Sequence, residues 1–304
     1  MQRMADALDK MAGIGRKSVR DHLTEQHRLF YPQLPFIVLG TVDRAGDAWA
    51  SIRAGRPGFL NAASDKRLDL LLARDAEDPA EGGLEDGAGI GLLGIELQTR
   101  RRNRLNGTLR VGDEARFAVE VEHAFGNCPQ YIQTREFSFA RDPSVLSKSS
   151  PSELSKLDGQ ARELVRGADT FFVASYITDS AGCRKVDVSH RGGRSGFVRL
   201  DPDGGLTIPD FAGNLFFNTL GNLLVNPKAG LAFPDFGTGD LLQMTGDAEV
   251  LLEPPGIGVF LGAQRLWRFR PRKIVLRPDA LPLRWRFSEW SPKSLMTGSW
   301  QNAR

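Results

Sequence analysis

The chain has 304 residues, of which 41% are hydrophobic and 25% are charged, and its formal net charge of +3 suits a soluble globular protein with one large or two ordinary domains. Like charges form no long block, no apolar run could span a membrane, and the first twenty residues lack the apolar core of a signal peptide. Cys128 and Cys183, the only cysteines, form no disulfide framework and no zinc set, so we expect a cytoplasmic protein that binds neither nucleic acid nor membrane.

Residues 1–35 are predicted to form a helical segment, with a weak helix over 16–29. The next stretch, 36–122, opens with FIVLGTVDRAGDAWAS, in which an apolar run meets Asp43 and Gly46 and then resumes as a hairpin would. Five or six short strands with glycine-rich turns follow, which is typical of a small antiparallel barrel. The arginines at 100–104 are interpreted as solvated strand ends and loops.

Residues 123–170 are predicted to be a linker that contains the clearest helix of the chain, at 151–166. Ser150 can cap this helix, Pro151 suits its first turn, and Glu153 completes a capping box. The apolar residues that share one helix face are Leu154, Leu157, Ala161, Leu164 and Val165.

A second β-rich stretch, 171–253, opens with FFVASYITDSAGCRKVDVS, and its turn between Asp179 and Gly182 predicts another hairpin. The remaining residues, 254–304, form a tail rich in Arg and Trp, in which RKIVL at 272–276 predicts one more strand.

The two β-rich stretches repeat each other. SIRAGRPGF at 51–59 and SHRGGRSGF at 189–197 are identical at six of nine positions. Further along, GLLGIELQT from Gly91 aligns with GLAFPDFGT from Gly230, and RLNGTLRV from Arg104 aligns with QMTGDAEV from Gln243. Matched phrases in one order at a nearly fixed offset indicate a duplicated domain. We call 36–122 copy one and 171–253 copy two.

One apparent motif is discarded. GIGLLG at 89–94 has the G-x-G-x-x-G letters of a dinucleotide-binding turn. That turn requires a strand before it and a helix after it, whereas here an acidic, turn-rich loop precedes it and a strand-like segment follows.

Copy two resembles the FMN-binding split barrel of the pyridoxamine 5′-phosphate oxidase-like family. The resemblance rests on the hairpin, on a Gly-Asn segment before a short helix, and on NPKAGLAFPD at 226–235 followed by Gly246. FGNCPQYIQTR at 125–135 also resembles a phrase of flavin-nucleotide-binding members. Members of the family form homodimers with FMN in the groove between two barrels. The resemblance therefore implies a mainly β chain of two tandem split barrels, a dimer fused into one polypeptide.

The same resemblance implies the residues of an FMN site. Ser189 and Arg191 share a strand face, so they can grip a phosphate together, and FFNTLGN places polar residues at a helix start. The family has basic residues where this chain has Asn218 and Thr219, which implies a less electrostatic grip. Copy one offers only the acidic RDAEDPAEGGLEDG at 74–87, so we expect one flavin per chain. The candidate cofactor-binding residues are Arg53, Gln130, Arg135, Ser189, His190, Arg191, Asn214, Asn218, Thr219, Asn222 and Gln243.

Three functions remain open: an FMN-dependent oxidoreductase acting with an unknown small molecule or electron donor, a non-catalytic flavin carrier, and a haem-binding split barrel. A haem protein would use His190 or a linker histidine as its ligand. His190 can otherwise donate to a flavin oxygen or pack. Cys128 is interpreted as a small packing residue, and no metal-ligand spacing is found. The oligomer is expected to be a monomeric pseudo-dimer or a homodimer.

Overall fold

The computed structural model describes residues 19–112, 116–213, 216–251 and 260–300. The chain is mainly β, as expected. The strands are β1 Phe36–Val42, β2 Ala48–Ala54, β3 Leu60–Ser64, β4 Arg67–Leu71, β5 Gly89–Glu96, β6 Arg101–Val111, β7 Arg116–Gly126, β8 Thr134–Phe139, β9 Ser152–Leu154, β10 Thr170–Thr178, β11 Arg184–Gly192, β12 Arg199–Leu200, β13 Leu206–Phe211, β14 Lys228–Pro234, β15 Leu241–Leu251, β16 Ala263–Arg277 and β17 Leu283–Glu289. The helices are α1 Glu25–Phe30, α2 Gly159–Gly167, α3 Asn218–Val225 and α4 Pro292–Leu295, with 3-10 turns at Tyr31–Gln33 and Pro79–Gly83.

The duplication is visible in the order of the strands. The first sheet runs β2-β1-β5-β6-β7-β4-β3 and the second runs β11-β10-β14-β15-β16-β13-β12, which is the same order strand for strand. Both predicted hairpins are present, because β1 pairs with β2 and β10 pairs with β11 in antiparallel register. The chain thus folds as two tandem copies of one β architecture.

Each copy has its own core, and a third core lies between them. Alternate residues of β1 point to opposite faces, so Ile37 packs inside the first sheet while Val38 packs toward the second. On β10, Val173 packs inside the second sheet while Phe172 packs toward the first. Both central strands are consequently buried on both faces, which explains their unbroken apolar sequences.

The two copies meet through reciprocal contacts, as in a two-fold dimer. Gly91 of β5 lies against the backbone of Asp187 on β11, and Gly230 of β14 lies against the backbone of Ala48 on β2. A Cβ on Gly230 would be 2.4 Å from the Ala48 carbonyl oxygen, so only glycine allows this approach. The reciprocity supports the interpretation of the chain as a pseudo-dimer.

Ion pairs at equivalent positions across the interface have reversed charge. Asp47, which immediately precedes β2, pairs with Arg272 on β16 at 2.6 Å. In the other half, Lys185 on β11 pairs with Glu122 on β7 at 2.8 Å. Copy one contributes the carboxylate to both pairs, and the second β-rich half contributes the cation. The pairs therefore favour contact between the two different copies over contact between two identical copies.

Two helix predictions need correction. The helix predicted at 151–166 begins only at Gly159, because Ser152–Leu154 instead forms strand β9 and pairs with β16. Tertiary pairing at the sheet edge overrides the local capping signals at Ser150–Glu153. Near the N-terminus, the predicted helix over 16–29 is observed as Glu25–Phe30, capped by Thr24, and residues 1–18 lie outside the described residues.

The boundary of copy two also needs correction. The predicted strand at 272–276 is part of the long strand β16, which lies between β15 and β13 in the second sheet. The second barrel therefore takes in residues that the sequence analysis assigned to the tail beyond 253. The discarded motif GIGLLG lies within strand β5, with no helix after it. None of the helices in the described ranges has the length and apolar character needed to span a bilayer.

Candidate functional site

A cavity of about 110 Å³ lies where strand β11 of copy two faces strand β6 of copy one. We call it the open cavity. Its wall residues are Arg102, Arg104, Asn127, Cys128, Gln130, Tyr131, Ser189, His190, Arg191, Gly192, Phe197, Pro209, Asp210, Phe211, Gly213, Phe216, Phe217, Asn218, Thr219 and Leu220.

Three arginines give the cavity its charge. Arg102 and Arg104 are two residues apart on β6, and the alternation of a strand places both on the cavity side. Arg104 pairs with Asp187 at 3.2 Å, and Arg191 pairs with Asp210 at 2.6 Å. Among the described residues, no carboxylate lies within ion-pair distance of Arg102. Three guanidinium groups thus share two carboxylates, which leaves the wall cationic.

Burial and mutual repulsion shift the pKa values of these groups. Burial, together with the nearby charges of Arg104 and Arg191, lowers the pKa of Arg102 to about 9. Burial also lowers the pKa of Arg104, although Asp187 opposes that shift. Both remain cationic near neutral pH, so an anion that entered the cavity would relieve their unfavourable environment.

His190 is neutral and has a defined tautomer. Burial, followed by repulsion from Arg102, Arg135, Arg191 and Arg104, lowers the pKa of His190 well below its usual value. Nη1 of Arg102 donates to His190 Nδ1 at 3.3 Å, since a guanidinium has no acceptor. The proton of His190 must therefore be on Nε2. This atom is buried and has no hydrogen-bond partner among the described residues.

The start of helix α3 forms another wall. Asn218, Thr219 and Leu220 line the cavity, as the sequence predicted for the polar helix start. The side chain of the N-cap residue, Phe217, cannot accept a hydrogen bond, and among the described residues no side chain accepts from the first N–H groups of the helix. An uncapped helix start attracts anions through these groups and the helix dipole.

A chain of hydroxyl groups lies beside this helix. Thr219 Oγ1 donates to Ser189 Oγ at 2.8 Å, and Ser189 Oγ donates to Asp187 at 3.2 Å. Both hydroxyl protons are therefore engaged within the protein. Ser189, which was predicted to donate to a phosphate, instead donates to the Asp187 carboxylate. The donors that an anion would find in the cavity are therefore the guanidinium groups and the backbone N–H groups.

The remaining wall is aromatic and carries backbone strain. Tyr131 and Phe211 stack with ring centroids 5.3 Å apart, and the Tyr131 hydroxyl donates to the Ala212 carbonyl at 2.9 Å. Tyr131 and Phe217 have φ angles of 63° and 54°, in the left-handed region that bulky residues rarely adopt. Strained residues of this kind concentrate at functional sites.

The structure separates the candidate residues into groups. Six of them line the open cavity, namely Gln130, Ser189, His190, Arg191, Asn218 and Thr219. Asn222 lies in the adjoining groove, where its amide donates to Ser175 at 3.1 Å. Asn214 lies outside the described residues.

Three further candidates lie away from the open cavity. Arg135 pairs with buried Asp169 at 2.6 Å. Gln243 and Arg53 both contact Asp78, at 2.9 Å each, in the pseudo-symmetric position on the other side of the interface. In all three cases a partner within the protein already occupies the polar group.

The pseudo-symmetric position is filled rather than open. We call it the filled counterpart. Arg53 and Arg277 lie there among three carboxylates from the loop between β4 and β5, and all of these groups are largely buried. The three carboxylates are Asp75, Asp78 and Glu81. Burial alone would raise the pKa of Asp78, but Arg53 and Arg277 hold it below the usual value.

Sequence reasoning missed Arg102 and Arg104, which had been interpreted as solvated strand ends and loops. Two signals could have identified them. Their spacing of two places them on one face of a strand, and the repeat aligns Arg104 with Gln243, itself a candidate.

No protein-family model matches the sequence, and no curated protein matches it. Among solved structures, the chain is similar to a HupZ variant from Group A Streptococcus, with 17% identity over 40% of this chain and 98% of that chain and a TM-score of 0.31. It is also similar to HutZ of Vibrio cholerae, described as a haem storage protein, with 16% identity over 40% and 95% of the two chains and a TM-score of 0.28.

A third similar structure is a Clostridium acetobutylicum protein of the pyridoxinephosphate oxidase family, with 14% identity over 42% and 86% of the two chains and a TM-score of 0.25. Each of these matches spans less than half of this chain. At these scores the similarities assign neither a cofactor nor an activity.

Proposed function

We propose that this chain is a flavoprotein that binds one FMN in the open cavity and serves as an oxidoreductase. The observation that carries the proposal is the convergence of three arginines and an uncapped helix start on one cavity that also has an aromatic wall. FMN combines a phosphate dianion with a flat aromatic ring system, so it needs both kinds of surface.

The residues present fit this cofactor. Arg102 and Arg191, with the first N–H groups of α3, would hold the phosphate. Tyr131 and Phe211 would offer aromatic surface to the ring system, and the unpartnered Nε2–H of His190 would donate to a flavin oxygen or nitrogen. Cationic charge in excess of carboxylates, together with a buried donor in need of an acceptor, supports an anionic ligand with acceptor atoms.

FMN, when bound, supplies hydride and electron transfer, while the protein supplies binding and orientation. The alternative is a carrier that binds FMN without using it. The two functions differ in one measurement. An oxidoreductase reduces its bound FMN with an added hydride donor such as NADPH faster than the donor reduces free FMN, whereas a carrier gives no acceleration.

A haem site is less well supported by the same cavity. A histidine that binds iron offers an unprotonated ring nitrogen and usually donates from the other nitrogen to a carboxylate or a carbonyl. His190 has the reverse arrangement, because Nδ1 accepts from Arg102 and Nε2 carries the proton. The absorption spectrum of the purified chain distinguishes flavin bands from a haem Soret band.

The direct test is a comparison of FMN with riboflavin, which has the same ring system and no phosphate. We expect the apoprotein to bind FMN at least about tenfold more tightly, because charge-assisted contacts to the phosphate contribute about 1.5–3 kcal/mol. Fluorescence titration at low ionic strength measures both affinities. Equal affinities, or tighter binding of NAD than of FMN, would contradict the proposal.

A further inference from the structure

Cys128 occupies an unusual place for one of only two cysteines. It follows strand β7 by two residues, is partly buried, and lines the open cavity. Its carbonyl oxygen accepts a hydrogen bond from Arg102 Nε at 2.9 Å. Cys128 therefore belongs to the wall of the cationic cavity, beside the Arg102 guanidinium.

The charge beside Cys128 is not neutralised locally. Arg102 Nε lies 2.9 Å from the Cys128 carbonyl oxygen, and among the described residues no carboxylate lies within ion-pair distance of this guanidinium. A second feature of the same cavity points to a ligand, because His190 is 95% buried there with an unpartnered Nε2–H. A small anion that enters the cavity thus meets an unpaired cation and a free donor close to a thiol.

Cys183 provides an internal comparison. It is exposed in the turn between β10 and β11, where its backbone N–H donates to the Asp179 carboxylate at 2.9 Å. The neighbouring cation, Lys185, pairs with Glu122 at 2.8 Å and lies 3.8 Å from Asp179. Carboxylates therefore offset the charge of Lys185, and the exposed position of Cys183 lets solvent screen the adjacent Arg184, which donates to the Asp43 carbonyl oxygen at 2.7 Å.

We propose that Cys128 is a modification site for small anionic thiol reagents and that Arg102 selects them by their charge. The reaction is a displacement at carbon. The Cys128 sulfur forms a bond to the carbon of the reagent, the bond from that carbon to its leaving group breaks, the leaving group departs with the electron pair, and the thiol proton goes to solvent. The proposal concerns the apoprotein and does not depend on FMN being the cofactor.

Iodoacetate and iodoacetamide test the proposal, because they differ in charge and undergo the same chemistry. Two single-cysteine forms of the full chain, Cys183→Ser and Cys128→Ser, are alkylated with each reagent, and the rates are followed by intact mass. We expect the ratio of the iodoacetate rate to the iodoacetamide rate to be about fivefold higher at Cys128 than at Cys183, as one unpaired charge at short range predicts. Added salt should reduce that difference.

Arg102→Gln in the Cys183→Ser background is the decisive variant. It keeps a side chain that can donate to the Cys128 carbonyl but removes the charge. We expect the rate ratio at Cys128 to fall to that of Cys183, because the ratio cancels any change in the reactivity of the thiol itself, with thermal melts to confirm folding. Equal ratios at the two cysteines in the parent chain, or an unchanged ratio in Arg102→Gln, would overturn the proposal. Since no flavin is present, neither result depends on whether FMN binds.

Discussion

The open cavity and the filled counterpart are built from equivalent strands of the two copies, yet one can admit an anion and the other contains its own. Ser189 and Arg191 on β11 correspond to Ser51 and Arg53 on β2. In the open cavity, Thr219 bonds Ser189, whereas in the filled counterpart Asp78 bonds Ser51. A single carboxylate, Asp78, thus contacts both Ser51 and Arg53, whereas Ser189 and Arg191 contact two different carboxylates, Asp187 and Asp210.

The two positions also differ in charge. The open cavity has three arginines and two carboxylates, whereas in the filled counterpart two buried arginines lie among three carboxylates, one of which, Glu81, also pairs with the more exposed Arg74 at 2.8 Å. In the filled counterpart, carboxylates of the chain therefore supply the negative charge that a bound phosphate would supply in the open cavity. The same repeated sequence can therefore contribute to ligand binding in one copy and to stability in the other.

The largest expected effect is on stability. Arg53→Ala leaves three buried carboxylates with Arg277 as their remaining buried partner, so we expect it to lower the free energy of unfolding by about 3–5 kcal/mol. Arg191→Ala, at the equivalent position, should cost much less, because Arg191 is partly exposed and Asp210 keeps Arg265 at 3.7 Å. Urea denaturation of both variants measures the two free energies of unfolding. Equal losses of stability would contradict the proposed difference between the open cavity and the filled counterpart.

The next effect is on ligand affinity. Arg102→Leu introduces the residue type found at the equivalent position of the filled counterpart, Leu241. We expect FMN affinity to fall about tenfold or more, since a charge-assisted contact is lost, while riboflavin affinity stays the same. Titration of the variant with both ligands tests this. A parallel loss for riboflavin would show that Arg102 shapes the cavity rather than holding the phosphate.

A smaller effect concerns pH. The pKa of His190 is lowered in the folded chain, so between that lowered value and about 6.5 the unfolded chain binds a proton that the folded chain does not. Stability should therefore fall as pH drops below about 6.5 and level off once His190 is protonated in both states. Each unit of pKa difference corresponds to about 1.4 kcal/mol.

His190→Ile, which gives β11 the residue type that β2 has at Ile52, removes this contribution. Urea denaturation across the pH range should then show a shallower loss than in the parent chain. His27, whose pKa burial also lowers, remains in both proteins and accounts for the slope that persists. An identical pH profile in the two proteins would contradict the assigned state of His190.

Much of the fold could be predicted from the sequence, because the repeat and the hairpin turns are local signals. GIGLLG could be rejected, and the strand at 272–276 was found, since apolar periodicity and flanking turns decide such cases. The helix start at Ser150 could not be predicted correctly, because pairing between β9 and β16 involves residues more than a hundred positions apart. Local capping signals contain no information about such a partner.

The candidate site, like the fold, could be predicted only where the signals are local. The helix start at Asn218 and the strand pair Ser189 and Arg191 were identified from spacing within one copy. Arg102 was missed because it belongs to copy one and reaches the cavity only through packing between the copies. The role of Arg53 was likewise hidden, since its partners come from an acidic loop that has no counterpart in copy two.

The most direct test of the central claim is the stoichiometry of FMN binding by the apoprotein. We predict one FMN per chain from isothermal titration, with binding weakened by Arg191→Ala and with inorganic phosphate acting as a competitor. One site is expected because Asp75, Asp78 and Glu81 already neutralise the arginines of the filled counterpart. Two FMN per chain, or one FMN whose affinity is unaffected by Arg191→Ala, would contradict the assignment of the open cavity as the single flavin site.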